Sequence, residues 1–324
     1  MEYTTLGDTG MTVSKICLGC MSFGDPNWRE WVLDEEEGIE LVERALELGV
    51  NFFDTANMYS KGESERVLGK ALEGHREEAV VATKGYFQMD DDDPNSGGLS
   101  RKAIEQELEA SLDRLGMETV DLYQIHRRDQ DTPPAETLRA LDDAVRRGKV
   151  RYLGASSMWA HEFAEYLHAS DQFGLDRFVT MQNHYNLVYR EEEREMLPLC
   201  EREGIGVIPW SPLARGYLAR PHEEIDATRR GEAEEHLYEH PYREGGGREI
   251  NERVEELAAE NGVKMAQIAL AWLFSKDVVD APIVGTTSIE HLEDAVEALE
   301  IDLRKSDVEY LEEPYEPVPV SGHE

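Results

Sequence analysis

Asp54, Tyr59, Lys84 and His126 are the residues whose types could share one piece of chemistry. Each falls at or just past the end of a short apolar run. "NFFD" ends in Asp54, with Tyr59 in the loop beyond; "AVVATK" ends in Lys84; "VDLYQIH" ends in His126. A carboxylate following Phe52 and Phe53 costs desolvation free energy unless a cation meets it. Lys84, at the end of the next run, supplies that cation, and Asp54 in turn holds the lysine charged. Tyr59 can then meet Lys84 and His126. A phenol has a reference pKa of about 10. An adjacent ammonium favours phenolate and lowers that value, which makes a general acid for use near neutral pH. His126 can hydrogen-bond a substrate oxygen and fix its orientation. Taken singly, each residue has a plainer role. An acid at a strand end caps a turn, a lysine there snorkels to water, a histidine is satisfied in the core or at the surface, and a tyrosine packs. Four together, at the ends of three successive runs, outweigh those readings.

Chemistry of this kind needs neighbouring strands that end side by side. Candidate strands are Ile16–Gly19, Val50–Asp54, Ala79–Lys84, Val120–His126, Val150–Gly154, Phe178–Gln182, Gly206–Trp210 and Pro282–Gly285. Helical patterns lie between them at 35–48, 64–73, 101–115, 135–147, 159–169, 190–203, 250–261, 265–275 and 289–299. Ser100 precedes "RKAIEQELEASLDRLG", which closes on Gly116, a polar N-cap followed by a terminal glycine. Strands alternating with helices imply parallel pairing through right-handed crossovers. Eight such units predict an α/β fold of the (β/α)8 TIM-barrel type, in which chemistry gathers at the C-terminal strand ends. An open doubly wound sheet is the competitor, but its G-x-G-x-x-G turn is missing from the sequence. "YTTLGDTGMTVSKI" reads as an N-terminal β-hairpin turning at "GDTG". Residues 1–324 are expected to form a single barrel domain, with a long polar loop at 219–249 and a C-terminal tail at 316–324. A loop of that length is functional or mobile; a solvating insertion without a role is the alternative.

Composition narrows the classes. Of 324 residues, 40% are hydrophobic, enough for a sizeable core. No apolar run reaches the roughly 18 residues of a membrane span. "MEYTTLGDTG" lacks the basic start and apolar stretch of a secretory signal, and three cysteines make no disulfide framework. A cytoplasmic setting is expected. With 69 acidic against 33 basic residues the formal charge is −36, which disfavours nucleic acid and anionic membranes as partners. The acids are spread through the helical patterns, as in "LDEEEGIELVERALELG" and "REEEREMLPLCEREG", and read as a solvated coat rather than a tail. Adaptation to concentrated salt, which screens charges over about 3 Å at 1 M, is the expected reason; an ordinary acidic enzyme is the alternative. No metal site is expected. Cys17 and Cys20 have C-x-x-C spacing, but in an extended run they point to opposite faces. Asp90 to Asp93 lack the glycine and bidentate glutamate of a calcium loop. Neither an H-x-H strand end nor a G-x-S-x-G elbow points to a hydrolase.

"NFFDTANMYS…GESERVLGKAL", "VVATKG", "VDLYQIHRRD", "YLGASSM", "MQNHYNLVYR", "IPWSPLARGYL" and "APIVGTTSIEHLEDAV" occur in that order, after the opening "YTTLGDTGMTVSKICLGCMSFG". Together they resemble the aldo-keto reductase superfamily over residues 3 to 315, and within it the general oxidoreductases near the potassium-channel β-subunit group. The resemblance implies a (β/α)8 barrel that reduces aldehydes and ketones with a nicotinamide cofactor. It makes Asp54, Tyr59, Lys84 and His126 a catalytic tetrad with Tyr59 as proton donor. It also implies cofactor contacts. Gly19, Cys20, Met21 and Asp54 belong to them. Ser156 and Gln182 would hold the carboxamide, with Ser157 standing where many relatives have asparagine. Trp210 would stack on the nicotinamide. Ser211, Pro212, Leu213, Arg215 and Gly216 would line the pyrophosphate, and Gly285, Thr286, Thr287, Ser288, His291 and Asp294 would surround the adenosine. "GTTSIEHLED" lacks the lysine or arginine that many relatives place on the 2′-phosphate of NADPH, a group that wants a cationic partner. His291, Arg215 or Arg220 could substitute. NADP(H) is the expected cofactor, NAD(H) the alternative, and the partner is a small carbonyl or alcohol substrate, with the chain a monomer or homo-oligomer. The competing reading is a cofactor-binding, redox-sensing regulatory subunit of the channel β-subunit type; no docking tail supports it.

Overall fold

The computed structural model describes residues 1–227 and 241–323. Strands β1 (Tyr3–Thr5) and β2 (Thr12–Ser14) pair antiparallel as the expected hairpin. Its turn carries Leu6 and Gly7 to the base of the larger sheet. Leu6 and Val13 are buried with Cys17, Phe52, Ala82, Leu122, Ile208 and Ala281, a cluster that plugs that end. Gly7 sits at φ +52, and a Cβ there would lie 2.6 Å from the Gly206 amide nitrogen, so both its backbone and its space demand glycine.

Eight parallel strands follow: β3 (Cys17–Gly19), β4 (Phe52–Asp54), β5 (Val80–Gly85), β6 (Val120–Ile125), β7 (Val150–Ser156), β8 (Phe178–Gln182), β9 (Gly206–Val207) and β10 (Ile283–Gly285). Their order is β10-β3-β4-β5-β6-β7-β8-β9. Parallel bridges from Val207 to Val279 and from Trp210 to Ile283 join the two ends of the sheet, with the Ile283 N–H donating to the Pro209 carbonyl at 2.9 Å. The architecture is the (β/α)8 barrel.

Helices α1 (Glu35–Glu47), α2 (Glu63–Ala71), α3 (Arg101–Leu115), α4 (Pro134–Arg146), α5 (Ala160–Phe173) and α6 (Met196–Glu203) connect successive strands. Each forms for local reasons. Asp34 and Glu37 make a reciprocal capping box at the start of α1, whose acidic first turn suits the positive end of the helix. Ser100 accepts from the Ala103 amide at 3.3 Å and Gly116 closes α3 at φ +64. Apolar residues such as Leu41, Val42, Ala45, Leu108 and Leu112 pack these helices on the sheet in the main core.

After β9 the chain makes short 3-10 segments at Ala214–Ala219, kinked at Arg215 and Gly216, and at His222–Ala227, and another at Pro241–Arg243. Helices α7 (Gly247–Asn261) and α8 (Met265–Phe274) precede β10, and α9 (Ile289–Glu297) follows it. The central part of the expected loop, residues 228–240, lies outside the described residues. The sequence reading missed α10 (Lys305–Glu312), a largely polar helix that buries Asp307 and Leu311. Beyond it the tail runs back across the strand ends. Ser321 N–H donates to the Tyr189 hydroxyl at 3.0 Å, and Val318 N–H donates to Glu191 at 3.0 Å. Among the described residues no helix is long and apolar enough to cross a membrane.

Candidate active site

β4, β5 and β6 end side by side and bring the first three polar groups together. Asp54 is 2% exposed and Lys84 is fully buried. The Lys84 ammonium donates to Asp54 Oδ1, and to the Thr55 carbonyl at 2.7 Å. Asp54 Oδ2 accepts two further bonds, from the side-chain amides of Gln124 and Gln182, both at 2.9 Å. Gln182 also donates to the Gln124 side-chain oxygen, Oε1, at 3.1 Å. Room for this network comes from Gly154, where a Cβ would lie 2.8 Å from Gln124 Cγ and 2.4 Å from Thr180 Oγ1.

Tyr59 begins a short helical turn just past β4. Ser60 and Lys61 follow in left-handed conformation, φ 47 and 53, and Gly24 packs directly against Ser60. That unusual backbone holds the phenol over the strand ends. The Lys84 nitrogen lies 5.0 Å from the centre of the Tyr59 ring, near enough for its charge to act on the phenol. The His126 ring meets Tyr59 edge-on at 5.8 Å and Phe87 edge-on at 4.9 Å. All four tetrad candidates therefore share one place.

Their charge states follow from burial and from each other. Burial pushes the Lys84 amine down, but Asp54 and then Tyr59 outweigh it, and the group stays a firm ammonium. For Tyr59, burial pushes the phenol up, and the neighbouring Lys84 opposes that only in part. The net shift is upward. The expectation that the ammonium would bring the phenol below its ordinary value is therefore corrected: the protein removes more water from the hydroxyl than one shared cation compensates. Tyr59 remains a protonated donor at neutral pH. Burial, then Lys84 and Arg127, hold His126 well below the usual imidazole range, so it is neutral. Its Nδ1 is enclosed without a hydrogen-bond partner among the described residues. An orphaned acceptor is tolerated better than an orphaned N–H, which places the single proton on Nε2.

The expected cofactor contacts fall in two groups around the same strand ends. In the first, the Ser156 and Ser157 hydroxyls lie 3.2 Å apart. Ser157 is left-handed at φ 46 and accepts from the Trp210 indole N–H at 3.0 Å. The Gln182 amide nitrogen turns inward to Asp54 and Gln124. Trp210 lies with one face parallel to His184, centroids 4.1 Å apart. Ser211, Ala214, Arg215 and Gly216 all have positive φ, at 56, 49, 57 and 97, around buried Pro212 and part-buried Leu213. Left-handed backbone of this kind forms anion-binding concavities. Arg215 Nη1 and Arg220 Nε are buried there without hydrogen-bond partners among the described residues. These orphaned donors fit a phosphate-bearing ligand.

In the second group, Gly19 pairs with both Asp54 and Gly285. Cys20 and Met21 follow in a short turn whose Ser22 hydroxyl donates to the Thr286 carbonyl at 2.7 Å. Thr286 closes a small turn through bonds of 3.0 and 3.1 Å with Ser288. Thr287 and His291 are exposed. Asp294 is engaged elsewhere: its carboxylate pairs with Lys264 at 2.7 Å, which also holds Glu290 at 2.6 Å. Cys17 and Cys20 are free, buried thiols whose burial pushes their pKa upward. Among the described residues, no group of three His, Cys, Asp or Glu side chains is placed to hold a metal ion.

Sequence reasoning missed Gln124. Its signal was a lone amide two residues before His126 on an apolar strand, hence on the same face.

The profile of the Aldo/keto reductase family matches residues 15–316. Aldo-keto reductase AFTS1 of Alternaria alternata is 44% identical over 346 residues, spanning 99% of this chain and 93% of that protein. Versiconal hemiacetal acetate reductase of Aspergillus parasiticus is 43% identical, spanning 98% of each. A putative aryl-alcohol dehydrogenase of Saccharomyces cerevisiae, AAD16, is 40% identical, again spanning 98% of each. With a barrel that ends in this cluster and similarity along nearly its whole length, the chain belongs to the Aldo/keto reductase family and is an oxidoreductase.

Proposed function

We propose that this enzyme reduces aldehydes or ketones to alcohols with NADPH, and that Tyr59 delivers the proton to the carbonyl oxygen. The observation that carries the proposal is the meeting of one phenol with a buried ammonium and a neutral imidazole. When bound, the dihydronicotinamide supplies a hydride to the carbonyl carbon. The Tyr59 hydroxyl and the His126 Nε2–H are the two donors that can hold the carbonyl oxygen. As negative charge develops there, both bonds strengthen, and Tyr59 gives up its proton. Lys84 favours the resulting phenolate, and Asp54 with Gln124 and Gln182 keeps Lys84 in place. Relatives named as a hemiacetal acetate reductase and an aryl-alcohol dehydrogenase support carbonyl–alcohol interconversion.

The preference for NADP(H) over NAD(H) rests on Arg215 and Arg220, whose orphaned donors suit phosphate oxygens. Two measurements test the proposal. Tyr59→Phe should lower carbonyl reduction by a factor on the order of 10² to 10⁴ while binding NADPH as before; full activity in that variant ends the proton-donor assignment. Arg215→Ala and Arg220→Ala should weaken NADPH more than NADH. A wild-type enzyme that turns over only NADH overturns the cofactor assignment.

A further inference from the structure

Trp210 does not stand alone at the strand ends. Three rings lie parallel in a row: Tyr189 on His184 at 4.0 Å and 11°, and His184 on Trp210 at 4.1 Å and 10°. His184 is 1% exposed. Its Nε2 is 2.6 Å from the Tyr242 hydroxyl and 3.4 Å from the Asn186 amide nitrogen. The Asn186 amide also donates to the Ser211 carbonyl at 2.9 Å, in the loop that follows Trp210. At the outer end, the Tyr189 hydroxyl bonds both the amide and the carbonyl of Ser321, at 3.0 and 3.3 Å. The neighbouring Gly322 passes so close to Trp210 that a Cβ there would lie 2.9 Å from the indole. Trp210 itself is tied at its N–H to Ser157.

A buried imidazole sandwiched between two aromatic faces is an odd core residue. Leucine would fill the space without desolvating two nitrogens. What imidazole adds is flatness and a hydrogen-bonding edge. The flat face fixes the plane of Trp210, and the edge, held by Tyr242 and Asn186, fixes the plane of His184.

We propose that His184 is a positioning residue which sets the plane of Trp210 as the wall against which the nicotinamide ring packs. This rests on the reading that Trp210 borders the nicotinamide. The chain end, through Ser321 and Tyr189, braces the far side of the same stack.

Binding separates this role from mere stability, because the nicotinamide is the half of the dinucleotide that the proposal places against Trp210. Wild type, His184→Ala, His184→Phe and Trp210→Ala would be titrated with NADPH, followed by nicotinamide fluorescence. They would then be titrated with 2′-phospho-ADP-ribose, followed by calorimetry. NADH and ADP-ribose form a parallel pair. His184→Ala should raise the dissociation constant of the reduced dinucleotide about tenfold and leave that of the ADP-ribose fragment within about twofold. His184→Phe, which keeps a flat ring, should recover most of that loss. If alanine leaves a gap the fold cannot tolerate, His184→Leu fills it without a ring face and carries the same expectation. Weakened dinucleotide binding in Trp210→Ala with none in His184→Ala overturns the role of His184 alone. Equal loss of both ligands in His184→Ala reduces it to a structural residue and overturns the proposal. Unchanged binding in Trp210→Ala removes Trp210 from the nicotinamide site, and the proposal with it.

Discussion

The ammonium of Lys84 and the carboxylate of Asp54 pair where their side chains are 0% and 3% exposed. Charges so deep are stable only when every lone pair and proton has a partner. Here the accounting closes on the acid: Oδ1 takes Lys84, and Oδ2 takes Gln124 and Gln182. The lysine bonds Asp54 and Thr55, with the Tyr59 ring centre 5.0 Å from its nitrogen. The network thus fixes the buried ammonium beside the phenol.

Tyr59 is held above the ordinary phenol value because burial outweighs Lys84. Carbonyl reduction needs the protonated phenol. It should stay level through neutral pH and fall only as pH rises through the elevated phenol titration. Alcohol oxidation needs the phenolate and should rise over that same alkaline range. Lys84→Met removes the largest influence that lowers the phenol and leaves only Arg127 acting in that direction. Its oxidation limb should therefore move to still higher pH, and reduction should slow by about 10²-fold or more. Pre-steady-state rates in both directions, from pH 6 to the alkaline limit of folding, check this. An oxidation limb that stays put or moves to lower pH contradicts the coupling.

Much of this was readable in the chain. All eight barrel strands matched short apolar runs, because strands buried on both faces need continuous apolar residues. The tetrad stood out because charged groups at the ends of such runs are unfavourable alone. What escaped reading depends on contacts made across the fold. Gln182 meets Asp54 over 128 residues of sequence, so its residue type was visible but its inward partner was not. The ammonium beside Tyr59 could be foreseen; the depth of protein covering the hydroxyl could not, and that depth decides the sign of the shift. Asp294 is taken by Lys264, 30 residues earlier. Helix α10 was missed because its buried face is only a few residues in a charged stretch, too little for a period to show.

The formal charge of −36 predicts a response to salt. Many ion pairs are formed by exposed side chains, such as Lys70–Glu35, Arg66–Glu63 and Arg248–Glu252. Each is worth about 0–1 kcal/mol and is weakened by salt. Acidic residues outnumber basic ones by 69 to 33, and the mutual repulsion of the surplus is screened as the Debye length falls from about 10 Å at 0.1 M to about 3 Å at 1 M. Relief of that repulsion should outweigh the weakening of the pairs. The urea midpoint should therefore rise with KCl across that range. A midpoint that is constant or falls would show that the acidic coat is not an adaptation to concentrated salt.

At the opposite end of the barrel, Asp280 gives a stability test independent of the active site. Its carboxylate accepts the Gly7 amide at 2.8 Å and so ties the hairpin plug to the sheet. It fits beside Gly206, where a Cβ would lie 2.5 Å from its oxygen. Burial pushes this acid up to about 6, and the Gly7 hydrogen bond opposes that only in part. The unfolded value is about 3.9. Between those values the folded state keeps a proton that the unfolded state has lost, so this group's contribution to stability falls as pH rises from about 4 to about 6. Above that window it amounts to a destabilisation of up to about 3 kcal/mol, less what partial exposure recovers. Asp280→Asn keeps an oxygen for Gly7 and carries no charge. Relative to wild type it should gain on the order of 2 kcal/mol near neutral pH and almost nothing near pH 4. Paired denaturant unfolding curves across that range would show the difference opening between about pH 4 and 6. A difference that is constant with pH would mean that the carboxylate is not held above its ordinary value at the base of the barrel.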